Sequence, residues 1–204
     1  MLLLAITALS AAAQPFYAGF KAGVLLTSSS ETTSQSGRGG QSIATAKSGR
    51  KILGGTVEAG LPAKLRVETG LLYRTFRGSE FRDFAGAVQE FISLEDKRLE
   101  VPLSLRREMS SGSVRPFVGA GGVWTHCFRD VSWTRVQGTV PPATTTFGSR
   151  SESDNLFGWT GSAGIRFRLP MGLKMTPEIR YTRWTAKRWL PSQNQVDLFL
   201  GIGF

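Results

Sequence analysis

Gln195-Val-Asp-Leu-Phe-Leu-Gly-Ile-Gly-Phe204 alternates with a period of two. Val196, Leu198, Leu200, Ile202 and Phe204 share one face; Gln195, Asp197, Phe199, Gly201 and Gly203 share the other. One face is greasy and the other small or polar, as in a strand with an apolar environment on one side only. A stretch of about ten residues is also what a tilted strand needs to cross a bilayer. The pattern reads as the closing strand of a transmembrane β-barrel that ends on an aromatic residue.

The same period recurs through the chain. It predicts strands over 16–26, 52–61, 65–76, 98–107, 114–128, 156–169, 173–184 and 195–204. The fourth is the clearest, with Leu99, Val101, Leu103 and Leu105 opposite Arg98, Glu100, Ser104 and Arg106. The fifth is rich in glycine, and its outward face stays open. Tight turns are expected at Pro62-Ala63-Lys64, at 110–113 and at Pro170-Met171-Gly172. The other connections are longer. Residues 27–50 are rich in Ser, Thr and Gly, lack periodicity and read as a loop. So does 129–155, with its Pro141-Pro142 pair. Between them, Phe84, Val88, Phe91 and Ile92 fit either a short amphipathic helix or strands that run on past the membrane. Minimal turns alternating with long connections are the habit of an all-β, eight-stranded antiparallel up-and-down barrel with short periplasmic turns and long external loops.

Alternation alone leaves inside and outside undecided, since a secreted lipocalin-like ligand-binding barrel turns its apolar face inward. Three features favour lipid outside. Connection lengths alternate strictly. Phe16, Tyr73, Trp124, Phe157, Trp159, Tyr181, Trp184 and Phe204 lie where aromatic girdles belong. The polar face mixes glycine with charges of both signs, which suits a narrow lumen. That assigns Lys21, Glu58, Arg66, Glu68, Glu100, Arg106, Arg166, Arg168, Glu178, Arg180 and Asp197 to an interior charge network, with Arg98 and Lys174 on the same face. Unpaired buried carboxylates are costly, so each is expected to meet a cation from a neighbouring strand. Asp197 is expected to meet Lys21, Arg180 or Lys174. Eight strands enclose just enough room for side chains, which predicts a plugged interior rather than an open pore.

The N-terminus adds a compartment. Met1-Leu-Leu-Leu-Ala-Ile-Thr-Ala-Leu-Ser10 followed by Ala11-Ala-Ala13 reads as a signal peptide over 1–13, cut after Ala13, although no Lys or Arg precedes it. The barrel domain is then 14–204, and the expected location is the outer membrane. The net charge of +10 points to an anionic partner. Export leaves nucleic acid the least suited, and outer-membrane lipid and lipopolysaccharide the natural ones. Arg38, Lys47, Arg50, Arg77, Arg135, Lys187 and Arg188 are the loop cations for that role. A single cysteine, Cys127, allows no internal disulfide. The one histidine, His126, is its neighbour, and adjacent strand residues point to opposite faces. A barrel-type lipid-modifying enzyme using His126 with a strand serine is the alternative, but no motif supports it. No catalytic, cofactor-binding or metal-ligating set is legible.

The segment Arg98-Leu-Glu-Val-Pro-Leu-Ser-Leu105 resembles the "LEIPL" strand of small outer-membrane β-barrel-domain proteins, the PorT-like and OmpA/OmpX-like barrels. Glu68-Thr-Gly-Leu-Leu-Tyr73, Arg115-Pro-Phe-Val-Gly-Ala-Gly121 and the last strand follow the same pattern in order. The resemblance implies an eight-stranded barrel and is not specific for function; the role expected of a plugged barrel with basic loops is structural, adhesive or surface-binding, as a monomer. It also implies that Leu198, Leu200, Ile202 and Phe204 form an assembly signal read by the barrel-assembly machinery.

Overall fold

A computed structural model describes residues 16–27, 32–37, 40–47, 51–84, 88–138, 144–185 and 193–204. The predicted signal segment lies outside them. The strands are β1 Tyr17–Leu25, β2 Thr32–Gly37, β3 Gly40–Lys47, β4 Lys51–Leu61 and β5 Leu65–Phe84, then β6 Val88–Glu108, β7 Val114–Gln137, β8 Thr144–Arg168, β9 Lys174–Trp184 and β10 Asn194–Gly203. Eight of them close a ring in the order β5-β4-β1-β10-β9-β8-β7-β6, and β6 returns to β5. Every pairing is antiparallel, and the last strand seals against the first, with Ala22 opposite Leu200. The ring is the up-and-down barrel the alternation predicts.

Tight turns join the strands at one end. In the first, Ala63 and Lys64 both have positive φ, at 61° and 59°. Leu65 N donates back to Pro62 O at 3.3 Å. Two successive left-handed residues match the right-handed twist of the flanking strands. Pro170–Gly172 forms a single 3-10 turn at the same end. By the rule that barrel turns are short on the periplasmic side, this end faces the periplasm.

The opposite end differs from the sequence reading. Residues 32–37 and 40–47 form the hairpin β2–β3 rather than a loop, and β3 pairs with β5, Gln41 opposite Asp83 and Lys47 opposite Arg77. Most of 129–155 is strand as well, since β7 runs to Gln137 and β8 starts at Thr144; Pro141 and Pro142 fall outside the described residues. Around 84–94 the extended-strand alternative holds, because β5 reaches Phe84 and β6 starts at Val88. The physical reason is common to all three. Past the membrane there is water on both faces, so the ladder persists while the apolar alternation that reveals it from sequence disappears. β5, β6, β7 and β8 thus run 20, 21, 24 and 25 residues against 9–11 for β1, β4, β9 and β10.

Side-chain direction follows the pleat. Leu103, Trp159, Ile202 and Phe204 are 53–74% exposed on the outside. Glu68, Arg98, Arg106, Glu178 and Asp197 are about 1% exposed within. A lipocalin-like inversion is thereby ruled out. The open question on β7 also resolves: Phe117 and Val123 face inward, while Val118 and Trp124 face outward. Trp184 departs from the predicted girdle. Tyr181 is outward, so Trp184, three residues on, points into the barrel, where its indole donates to Gln195 Oε1 at 3.3 Å.

Candidate functional site

Glycines on the inner face make room for the large side chains of the lumen. At Gly23 a methyl group would strike the ring of Phe199 on adjacent β10. Phe199 in turn carries two cations on its ring, Arg180 at 4.7 Å and Lys21 at 5.6 Å. Arg106 lies 4.8 Å over Phe117, and Arg98 4.0 Å over Phe76. Each of these guanidinium groups therefore packs a flat face on an aromatic ring while its edge stays free to bind carboxylate.

Two glutamates form the centre. Glu68 on β5 accepts from Lys21 Nζ at 2.7 Å, Arg106 Nη2 at 2.7 Å and Arg180 Nη2 at 3.2 Å. Glu178 on β9 accepts from the same three residues, at 2.9, 2.6 and 3.0 Å. Three cations are thus shared by two carboxylates from well-separated strands. Toward the periplasmic end, Glu58 accepts from Arg166 at 2.6 Å, and Glu108 from Arg66 at 2.6 Å and Arg115 at 2.8 Å. Lys174 and Arg66 both lie over the Tyr17 ring there. Toward the external end, Arg74 grips Asp197 with two bonds, at 3.1 and 2.9 Å, and pairs with Glu100 at 3.0 Å.

The sequence-selected residues are therefore brought together, with these departures. The pairs do not stay between neighbouring strands. Lys21 on β1 reaches β5 and β9, Arg106 on β6 reaches β9, and Arg166 on β8 reaches β4. A narrow ring puts opposite walls within one arginine's length, so cross-lumen partners compete with cross-strand ones. Asp197 takes Arg74 rather than Lys21, Arg180 or Lys174. Arg168 is exposed at the periplasmic rim, past the last lumen layer. Sequence reading missed Glu108, placed one residue beyond its strand, and Asp96, placed in a loop. The expected network also left out Arg74.

Outside, the apolar band ends at the external rim in a set of outward Lys and Arg. Lys51 on β4, Arg77 on β5 and Arg183 on β9 are exposed, and Lys97 on β6 is half-buried. Among the described residues, Arg77 and Lys97 make only long contacts with Glu95 and Asp130, 3.5 to 3.9 Å. Of the other expected loop cations, Arg38, Arg50, Lys187 and Arg188 lie outside the described residues, and Lys47 is placed by its backbone alone. Arg135 is exposed on β7, far out on the extension. Higher up, Arg82 donates to Glu80 at 2.7 Å, and that bond holds the guanidinium above its ordinary range. His126 and Cys127 do point to opposite faces. Cys127 is buried with Val123, Leu156 and Trp184. His126 sits outside between Trp124 and Phe128, its Nδ1 2.7 Å from Asn155 Oδ1.

A closed antiparallel ring with lipid-facing apolar side chains, charges inside and short turns at one end defines an outer-membrane barrel. The chain belongs to the outer membrane protein beta-barrel domain family, whose model matches residues 1–204. Its place is accordingly the outer membrane of a Gram-negative-type bacterium. Solved structures similar to it include the neisserial surface protein A, with a TM-score of 0.49 and 12% identity over 94% of this chain and 97% of that one. OprG of Pseudomonas aeruginosa gives 0.48 and 16% over 93% and 94%. Ail, the attachment invasion locus protein of Yersinia pestis, in complex with the heparin analogue sucrose octasulfate, gives 0.43 and 12% over 93% and 98%. No curated protein sequence matches the chain.

Proposed function

We propose that this protein is a surface-binding barrel with a closed lumen, in which the membrane ring anchors and the external strands make contact. The observation that carries the reading is the set of ion pairs spanning the lumen at three levels, Glu58–Arg166, Glu68–Lys21–Glu178 and Arg74–Asp197. A hydrated ion passing through would have to separate buried charges from their partners, which is strongly unfavourable. Purified protein in a planar lipid bilayer is expected to give no steady single-channel current. Stepwise conductance proportional to salt concentration would overturn the closed lumen.

Contact is assigned to binding rather than to a reaction, since His126 is held by Asn155 on the lipid-facing side. The outward cations Lys51, Arg77, Lys97 and Arg183 sit where the phosphates of outer-leaflet lipid, lipopolysaccharide included, meet the protein surface. The ring has no open strand edge at membrane level, so the protein acts as a monomer there. Leu198, Leu200, Ile202 and Phe204 form the lipid-facing stripe of β10, and this stripe serves as the signal for the barrel-assembly machinery. Removing Phe204, which is 74% exposed, is expected to lower the yield of membrane-inserted protein on fractionation. An unchanged yield would remove that role.

A further inference from the structure

The outer face of β5–β8 carries ordered rows above the lipid-facing band, because the register runs from strand to strand without a bulge. Ser79 faces Ser93, Ser93 faces Ser132, and Ser132 faces Ser149. All four hydroxyls are exposed, one from each strand. In the next row outward, Phe81 faces Phe91, Phe91 faces Thr134, and Thr134 faces Phe147. The Phe81 and Phe91 rings are 4.9 Å apart. Phe91 is 49% and Phe147 73% exposed. A shallow hollow runs along the β5–β7 part of these two rows. Below the serines, Arg77 faces Glu95 and Glu95 faces Asp130.

Acyl chains do not account for those rings. Phe91 lies six positions from Lys97 on β6, about 20 Å along the strand, and Lys97 already marks the end of the apolar band. Exposed apolar rings in water mark a contact site. Rings beside a row of hydroxyls, with two carboxylates below, suit a saccharide. Ring faces cover the C–H faces of a sugar, and serine and carboxylate oxygens exchange hydrogen bonds with its hydroxyls. The rows continue the lipid-facing surface upward: apolar band, then Lys97, then Arg77 in one row with Glu95 and Asp130, then hydroxyls, then rings. That sequence of chemistries matches a single amphiphile, from acyl chain to phosphate to sugar. We propose that the outer face of β5–β8 binds the sugars that extend beyond the phosphates of a phosphorylated glycolipid in the outer leaflet.

The inference rests on the phosphate-binding role of the rim cations, and the test separates the two. Full-length protein folded in detergent micelles is titrated with lipid A, with lipopolysaccharide bearing its core oligosaccharide, and with the free core oligosaccharide. The wild type is expected to prefer the core-bearing lipid over lipid A by about fivefold, the scale of a few ring contacts. The paired change Phe91→Ala and Phe147→Ala is expected to erase that preference and leave lipid A binding intact. Phe91→Leu, which keeps apolar area but not the ring face, should reduce it. Arg77→Ala with Lys97→Ala should instead weaken both lipids equally; unchanged lipid A binding would sink the phosphate role alone. The saccharide site is overturned if the wild type shows no preference or if the phenylalanine pair keeps it. Free oligosaccharide binding as tightly as the core-bearing lipid would replace the glycolipid by a soluble glycan. Should the paired variant fail to fold, Ser93→Ala with Ser132→Ala decides, since these exposed hydroxyls support no packing.

Discussion

The membrane-level ring and the external wall are the same antiparallel sheet under different constraints. In the ring each strand has a neighbour on both edges, and cations are tied to carboxylates across the lumen. In the wall, β8 keeps β7 on one edge out to Thr144 but has no described partner on the other past Gly158, where its described pairing with β9 ends. Its ion pairs lie at the surface, as between Arg150 and Glu152, with Arg150 72% exposed. Exposed pairs contribute little, about 0–1 kcal/mol, whereas breaking a buried one costs about 3–5 kcal/mol. Stability is therefore concentrated in the ring, and the wall is free to vary its side chains for contact.

The largest expected effect follows from Glu178→Leu, which leaves Lys21, Arg106 and Arg180 to share Glu68. Urea unfolding in micelles, followed by circular dichroism, should show a loss of about 3–5 kcal/mol. A loss under about 1 kcal/mol would mean that water screens the lumen, and the contrast with the wall would collapse. A finer probe places the same methyl group in both regions. Gly23→Ala drives Phe199 against its two cations inside the closed ring, and overpacking of this kind costs about 1–3 kcal/mol. Gly148→Ala meets the indole of Trp133 on the wall, where the side chain is only half-buried and free to swing aside. It should leave the global midpoint within about 0.5 kcal/mol and alter hydrogen exchange only near β7 and β8. The reverse order of the two would break the comparison.

The division between ring and wall also decided what was legible from sequence. Lipid on one side and a crowded lumen on the other impose strict alternation, so residues such as Leu99 to Arg106 announce both strand and face. Above the membrane that contrast vanishes, and Thr32 to Gly37 reads as loop although it pairs residue for residue with β3. Lumen residues were legible as a set, because a charge on an otherwise apolar strand has only one place to go. Their partners were not. Whether Asp197 meets Arg74 or Lys21 depends on how far each strand is displaced along its neighbour, a quantity set by closure of the whole ring. Trp184 failed for a simpler reason: its aromatic character suggested a girdle, while parity from Tyr181 sends it inside.

The seam between β1 and β10 has a kinetic consequence. The first and last strands are neighbours, Gly19 against Gly203 and Leu25 against Asp197. This contact joins the first and last described strands, and the ring cannot close before β10 has been delivered. Closing so long a stretch of chain costs entropy before the seam's contacts can offset it, which slows this step. Until closure, Lys21 and Asp197 lie on open margins, apart from Glu178 and Arg74, their partners across the seam. The cross-lumen ion pairs can form only once the circle is complete, so they latch an assembly step that has already ended rather than guide the steps before it.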